Sequence, residues 1–216
     1  RVTAILQHRL SIAMEQRGQE SMTSKQKQQL RLYVSEIAFM YKNVKFHNFE
    51  HCVHVTTSMH KVIDTIVGSI ESGQVGNGSI CQELWQNAFT HFVMVFGCLI
   101  HDVEHTGQSN QILAAKRHRV ATRYPGPSAE RNSIYVSLDL LNNRRFNALR
   151  KAIFPSTEDR FKFGKCIFWA VLGTDIASPE TARNVISRFD VVHNVRKSIE
   201  KKRRLPIDKP YDYDPA

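Results

Sequence analysis

The chain has 216 residues, a net charge of +10 and a hydrophobic content of 42%, which together favour a single domain around one sizeable core. Four widely spaced cysteines without a C-x-x-C pair argue against zinc-ribbon and redox motifs and favour reduced thiols in a cytosolic domain. We find no secretory signal pattern, and the apolar run over residues 92–100 is too short to cross a membrane. The excess of basic over acidic residues favours the binding of anionic ligands such as phosphates.

Apolar residues at helical spacing predict helices along most of the chain. The first is expected over residues 1–17, and the second runs from a predicted N-cap at Ser24 to about residue 41. A third is expected from after residue 43 to about 67, followed by a Gly- and Ser-rich loop over 68–79. Later helices are expected over about residues 82–100, 108–119 and 146–153. Three more are expected to begin at a cap: from Ser128 to 141, from Ser156 or Thr157 to 172, and from Ser178 towards the basic run 201–204. Because strand signals are nearly absent, we predict an all-α fold, a compact multi-helix bundle.

The most informative stretch follows the apolar run directly, where residues 101–105 contain two histidines and two carboxylates. Burying imidazole and carboxylate groups side by side is costly unless something compensates. A metal ion compensates, because it takes neutral histidine nitrogen and aspartate oxygen as ligands. Since neighbouring residues project about 100° apart on a helix, His101 and Asp102 can converge on an ion only near a helix end or with help from another element.

A second histidine pair, His47 and His51, opens the predicted third helix. Histidines one turn apart share a helical face, an arrangement common in metal and acid–base sites. A lone histidine is more often a structural residue, but the two clusters together favour a site formed by His47, His51, His101, Asp102 and His105. Histidine ligands with an aspartate and open positions describe a catalytic metal site. Two ions bridged by Asp102 and a non-ligand histidine as acid predict a hydrolase for phosphate esters.

These motifs resemble the catalytic domain of class I 3′,5′-cyclic-nucleotide phosphodiesterases. The matching positions are residues 47–51, 101–107, 110, 128–133 and 174–175. The resemblance covers roughly residues 30–188 and implies an all-α fold of the His-Asp phosphohydrolase type. It implies metal-dependent hydrolysis of the 3′ phosphoester bond of cAMP, cGMP or both to the 5′-nucleoside monophosphate, in signal transduction.

The resemblance also implies a role for each matching residue. His47 would be the general acid that protonates the O3′ leaving group. The implied zinc ligands are His51, His101 and Asp102, with Asp102 also bridging to a second ion, magnesium or manganese. The implied holders of the waters around that second ion are His105, Glu130 and Thr174, and Glu130 would also help to orient the acid. Asn110 would be a supporting residue, and Asp175 has either a site role or a helix-end role.

The chain departs from the family pattern near its end. The family has one more metal-binding aspartate and a purine-contacting glutamine on late helices, and no segment here resembles those helices. We therefore expect residues 1–205 to be a phosphodiesterase catalytic domain without its C-terminal helices, followed by an irregular tail over 206–216. Such a chain is expected to bind metal weakly and to turn over poorly, as part of a parent protein that can carry sensor, cyclase or membrane domains.

Two other functions stay open: a catalytically weak or dead module for regulation or interaction, and a broader His-Asp phosphohydrolase acting on other nucleotides. The second usually lacks an upstream pair such as His47 and His51. The expected partner is a cyclic nucleotide. Nucleic-acid binding is not expected, because aromatic residues are not interleaved with the basic run 201–204. No membrane contact is expected from this segment. The expected location is cytoplasmic, with the domain facing the cytosol if the parent is membrane-anchored. Since the purine-reading residues are absent, the sequence does not predict a base preference.

Overall fold

The computed structural model describes residues 1–73 and 85–176 and the isolated positions 178, 183 and 187. Residues 1–175 form one compact unit, and the chain from Ile176 belongs to a second, of which only isolated positions are described. The helices are α1 (Val2–Gln16), α2 (Ser24–Met40), α3 (Phe49–Glu71), α4 (Ala88–Ile100), α5 (Asn110–Ala115), α6 (Arg119–Arg123), α7 (Ser128–Asn142), a short 3-10 turn (Arg144–Phe146), α8 (Asn147–Ile153) and α9 (Thr157–Leu172). No strand occurs among the described residues, which confirms the predicted all-α fold.

The core is built around α4, which is apolar at nearly every position and has nine of its 13 residues buried. A helix that is hydrophobic on all sides must be covered on all sides. Helices α1, α3 and α9 pack against it. Phe96 in its middle is fully buried, stacks on Tyr33 of α2 and meets Phe163 of α9 edge to face. Helix α4 therefore carries the polar residues that follow it into the protein interior.

Two predicted N-caps are wrong by one residue. Helix α2 is capped by Thr23 rather than Ser24, because Thr23 and Gln26 form a reciprocal capping box that satisfies two backbone donors. Ser128 does not cap α7 but is its first residue, and its hydroxyl donates to the carbonyl of Gly126. The cap predicted at Ser156 is confirmed, since its side chain accepts from the backbone N–H of Asp159.

Several helix boundaries also differ from the prediction. Helix α3 runs on to Glu71, so the first part of the predicted loop 68–79 is helical, and residues 74–84 lie outside the described part of the chain. The single helix expected over 108–119 is split into α5 and α6. Three predictions fall among or next to residues that the structure does not describe, and they stay predictions. They are the helix start at Ser178, the basic run 201–204 and the domain boundary after residue 205. In the described residues, no helix combines the length and apolarity that spanning a bilayer requires.

Candidate metal centre

The polar residues after α4 lie in a tight turn over residues 101–104. Glu104 has a φ of 60° and its backbone N–H donates to the carbonyl of Met40 at the end of α2, at 3.2 Å. The left-handed conformation is costly for a residue other than glycine, and this backbone contact helps to hold it. The turn allows His101, Asp102 and His105 to be buried together. The sequence predicted that His101 and Asp102 could converge near a helix end, and α4 ends directly before them.

His47 does not lie on α3, and the prediction that His47 and His51 share one helical face is wrong. Helix α3 begins at Phe49 because Asn48 is its N-cap, with its side-chain oxygen accepting from the backbone N–H of His51 at 3.0 Å. The Asn48 amide donates in turn to the carbonyl of Val44, also at 3.0 Å. His47 thus belongs to the segment before the helix, while His51 sits in its first turn.

The imidazoles nevertheless meet at one atom, Oδ2 of Asp102. His47 Nδ1 lies 2.8 Å from it, His101 Nε2 lies 3.0 Å from it and His51 Nε2 lies 3.8 Å from it. The ring of His105 lies against that of His47, with 3.9 Å between centroids and a tilt of 35° between the rings. Three separate segments of the chain, before α3, within α3 and after α4, therefore converge on one buried carboxylate.

Backbone partners fix which nitrogen of two histidines carries the proton. Nδ1 of His101 is 2.9 Å from the carbonyl of Cys98, so it donates there. Nε2 therefore donates to Asp102 when the ring is charged and holds the lone pair when the ring is neutral. The backbone N–H of Gly107 donates to Nδ1 of His105 at 3.1 Å, which leaves the proton on Nε2 of that ring. Nε2 of a neutral His101 could therefore hold a metal ion, and Nε2–H of His105 could donate to water or phosphate.

The electrostatics keep the carboxylate ionised and two imidazoles neutral. Burial raises the pKa of Asp102, but the hydrogen bonds and charges of His101 and His47 outweigh it and bring this pKa to about 2. Burial, together with the neighbouring histidines, lowers the pKa of His51 and takes the pKa of His105 to about 4. Burial also lowers the pKa of His101, yet the hydrogen bond and the charge of Asp102 raise it above its ordinary value.

The donor set fits a divalent ion. Ligands about 2.0–2.2 Å from a tetrahedral zinc lie about 3.3–3.6 Å from one another. One ligand atom from each of His51, His101 and Asp102 forms a group in which each lies within 4.8 Å of the other two. The distances from Asp102 Oδ2 to Nε2 of His101 and of His51, 3.0 Å and 3.8 Å, lie on either side of that spacing. A second such group consists of His47, Asp102 and His105, and it shares the aspartate. Because Nδ1 of His105 accepts the Gly107 N–H, the first group is the better match to direct ligation.

Three further predicted residues, Asn110, Glu130 and Thr174, make hydrogen bonds outside the histidine cluster. Glu130, in the first turn of α7, accepts a hydrogen bond from Asn110 at 2.9 Å, and burial raises the pKa of Glu130. It makes no hydrogen bond to His47 in the described part of the chain, where Asp102 takes the place expected for an orienting glutamate. The hydroxyl of Thr174 donates to the carbonyl of Val171 at 2.7 Å, and Thr174 makes no hydrogen bond to the histidine cluster.

Sequence reasoning missed the partners that orient the ligands. The carbonyl of Cys98 and the N–H of Gly107 belong to the backbone, so no residue type marks them in advance. The position of Gly107 could have been identified, because a glycine often marks a backbone turn with positive φ. Its φ is 76°, a conformation that is strained for any residue with a side chain. Asn48 could also have been identified, since asparagine before a histidine-containing helix start is a preferred N-cap.

Residues 46–207 match the protein family described as 3′5′-cyclic nucleotide phosphodiesterase. Over 146 residues the chain is 25% identical to the "Probable 3′,5′-cyclic-AMP phosphodiesterase pde-4" of Caenorhabditis elegans, covering 67% of this chain and 19% of that protein. Over 162 residues it is 24% identical to the "cGMP-specific 3′,5′-cyclic phosphodiesterase" of Drosophila melanogaster, covering 75% of this chain and 13% of that protein. The chain thus spans a fifth or less of the length of these curated relatives.

A similar fold occurs in the solved phosphodiesterase domain of the RhoPDE fusion protein from the choanoflagellate Salpingoeca rosetta. The two superpose with a TM-score of 0.64 at 18% sequence identity, over 90% of this chain and 54% of that one. At this level of identity the likeness concerns the fold.

Proposed function

Because the chain belongs to the 3′5′-cyclic nucleotide phosphodiesterase family, we propose that it serves to hydrolyse cyclic nucleotides in signal transduction, by cleaving the 3′ phosphoester bond. The observation that carries this proposal is the convergence of three imidazoles on Oδ2 of the buried Asp102. The product would be the 5′-nucleoside monophosphate. Relatives named for cAMP and for cGMP both match, which supports the cyclic purine nucleotides as the substrate class.

We assign one ion to His51, His101 and Asp102, and a second ion to the other side of Asp102. Imidazoles suit zinc, whereas a single carboxylate with several waters suits magnesium or manganese. Divalent ions bound here would supply Lewis-acid polarisation of the phosphodiester and a lowered pKa for water. Only three protein ligands meet among the described residues, so we expect weaker retention of the first ion than at a site with four.

The protein's own groups position the substrate and move the proton. His47 would give its proton to the O3′ leaving group, and its half-exposed ring leaves it accessible from solvent. Asp102 holds Nδ1 of His47 at 2.8 Å, so Nε2 on the far side of the ring can face the substrate. Nε2–H of His105 would orient the attacking water or a phosphoryl oxygen.

The experiment incubates the 216-residue chain with cAMP or cGMP and with Zn²⁺ together with Mg²⁺ or Mn²⁺, and separates the products by chromatography. We expect 5′-monophosphate, with ¹⁸O from labelled water in its phosphate. His47→Ala should lower turnover by about 10²-fold or more and keep its metal content. Asp102→Ala should lose the metal itself, measured by elemental analysis. His54→Ala changes an exposed histidine on α3 and serves as the control.

Formation of 3′-monophosphate would refute cleavage at the 3′ bond. Equal turnover by wild type and His47→Ala would refute the acid role. Full metal content in Asp102→Ala would refute the assigned ion site.

We also propose that the protein acts in the cytosol. The cysteines of the described residues, Cys52, Cys98 and Cys166, are free thiols, which suits a reducing compartment. Mass spectrometry of protein alkylated at lysis would test this, and a disulfide among these residues would contradict it.

A further inference from the structure

Asn110 connects three elements beside the metal centre through one carboxamide. Its two N–H groups reach two carboxylates, Glu130 Oε2 at 2.9 Å and Asp175 Oδ2 at 3.1 Å. Its oxygen accepts from the backbone N–H of Ala129 at 2.9 Å. Asn110 begins α5, Glu130 lies in the first turn of α7, and Asp175 follows the end of α9. Both N–H donors and one of the two acceptor positions of this side chain are therefore used.

The geometry requires an amide rather than another residue type. Two carboxylates that approach each other repel, and a neutral donor with two N–H groups can hold both without adding charge. An aspartate at this position would have no N–H to offer and would add a third negative charge. Alanine would free both carboxylates and leave the N–H of Ala129 without its partner.

Glu130 is close enough to the centre for its position to matter there. Its charge acts on His101, and the charge of Asp102 acts on Glu130. Glu130 is absent from the two groups of ligand atoms that cluster within 4.8 Å in the described residues. That placement suits contact with an ion through water rather than directly.

We propose that Asn110 is a positioning residue that fixes Glu130 and Asp175 as a pair at the edge of the second ion's site. This inference rests on the proposed metal centre, and it assigns to Asn110 a specific action through two named carboxylates. Losing the amide should weaken the binding of the second ion, because the carboxylates would no longer be held in place. Loss of an oriented outer partner costs about 10–100-fold in metal affinity.

Asn132 provides a matched control, about one turn along α7 from Ala129. Asn132 donates to Glu104 Oε2 at 3.1 Å, so it too ties a carboxylate between α7 and the turn after α4. It makes no hydrogen bond to Glu130 or Asp175 in the described part of the chain. Asn132→Ala thus removes a bridge of the same kind without touching the pair that Asn110 holds.

The test titrates the full chain with Mn²⁺ and follows the free ion by electron paramagnetic resonance. Proteins compared are wild type, Asn110→Ala, Asn132→Ala, Glu130→Gln and the double variant Asn110→Ala/Glu130→Gln. We expect Asn110→Ala to weaken Mn²⁺ binding at least tenfold and Asn132→Ala to change it less than twofold. If Asn110 acts through Glu130, adding Asn110→Ala to Glu130→Gln should lower the Mn²⁺ affinity clearly less than Asn110→Ala lowers it in wild type.

Thermal melting in EDTA separates folding from metal binding. Equal Mn²⁺ affinity in wild type and Asn110→Ala would overturn the positioning role, whatever the melting temperature. Equal losses in Asn110→Ala and Asn132→Ala would overturn it as well, since a general loosening of α7 would then explain both. Failure of wild type to bind Mn²⁺ at all would instead refute the proposed metal centre, and the inference with it.

Discussion

His105 should make the metal-free protein sensitive to mild acid. Its pKa falls from 6.5 to about 4, because burial and the nearby His47 disfavour the charged ring. Since the folded pKa lies below the unfolded one, the unfolded chain takes up this proton first as the pH falls. The stability that neutral His105 provides is complete above pH 6.5 and is lost as the pH falls towards about 4.

The magnitude follows from about 1.4 kcal/mol per pKa unit. Lowering the pH from about 7.5 to about 4.5 should cost the folded state about 2.5 kcal/mol through this group alone. The assay is urea unfolding in EDTA at both pH values, with wild type and His105→Asn. Asparagine can still accept from the Gly107 N–H but does not titrate. His54→Asn, on the exposed surface of α3, is the control.

We expect wild type and His54→Asn to lose about 2 kcal/mol or more of unfolding free energy beyond the loss in His105→Asn. If all three proteins lose the same amount, His105 is not held neutral by its surroundings, and the reasoning is refuted.

Three other outcomes are expected. Asn48→Ala removes the cap that accepts from the His51 N–H, so the free energy of unfolding in urea should fall by about 1 kcal/mol; an unchanged value would contradict the cap. Gly107→Ala places a side chain at a φ of 76°, which should cost about 1–2 kcal/mol in the same assay, and a stabilised variant would refute the strain. Exposed Cys166 should react with maleimide in the native protein, whereas Cys98, whose pKa burial raises to about 12, should not; peptide mass spectrometry distinguishes them.

The core helix and the burial of His101 beside Asp102 could be predicted because residue types alone indicate them. The run over residues 92–100 is apolar on every side, so it has to lie in the interior wherever the other helices pack. Histidine and aspartate directly behind such a run must be compensated, which pointed to the centre at His101 and Asp102. The first inference is independent of helix boundaries, and the second requires only a nearby helix end or a contribution from another element.

The boundaries were harder because they depend on single backbone conformations. Helices α5 and α6 are separated at Arg117, which has a φ of 48°, and the turn after α4 contains Glu104 at 60°. Both are positions where glycine would have signalled a break, but neither residue is glycine. At His47 two preferences competed, the histidine spacing and the capping tendency of Asn48, and capping determined where α3 begins.

A second pairing of histidine and aspartate in the fold shows what distinguishes the cluster around Asp102. Buried Arg9 of α1 donates to Asp64 at 2.5 Å and contacts His60 at 2.8 Å, so a guanidinium balances that carboxylate. At Asp102, no lysine or arginine donates to the carboxylate in the described part of the chain, and its close partners are imidazoles. An imidazole is positive only when doubly protonated, so a buried Asp102 needs either a protonated histidine or a bound cation. A divalent ion would replace that proton with a stronger charge, so this donor set suits a bound cation.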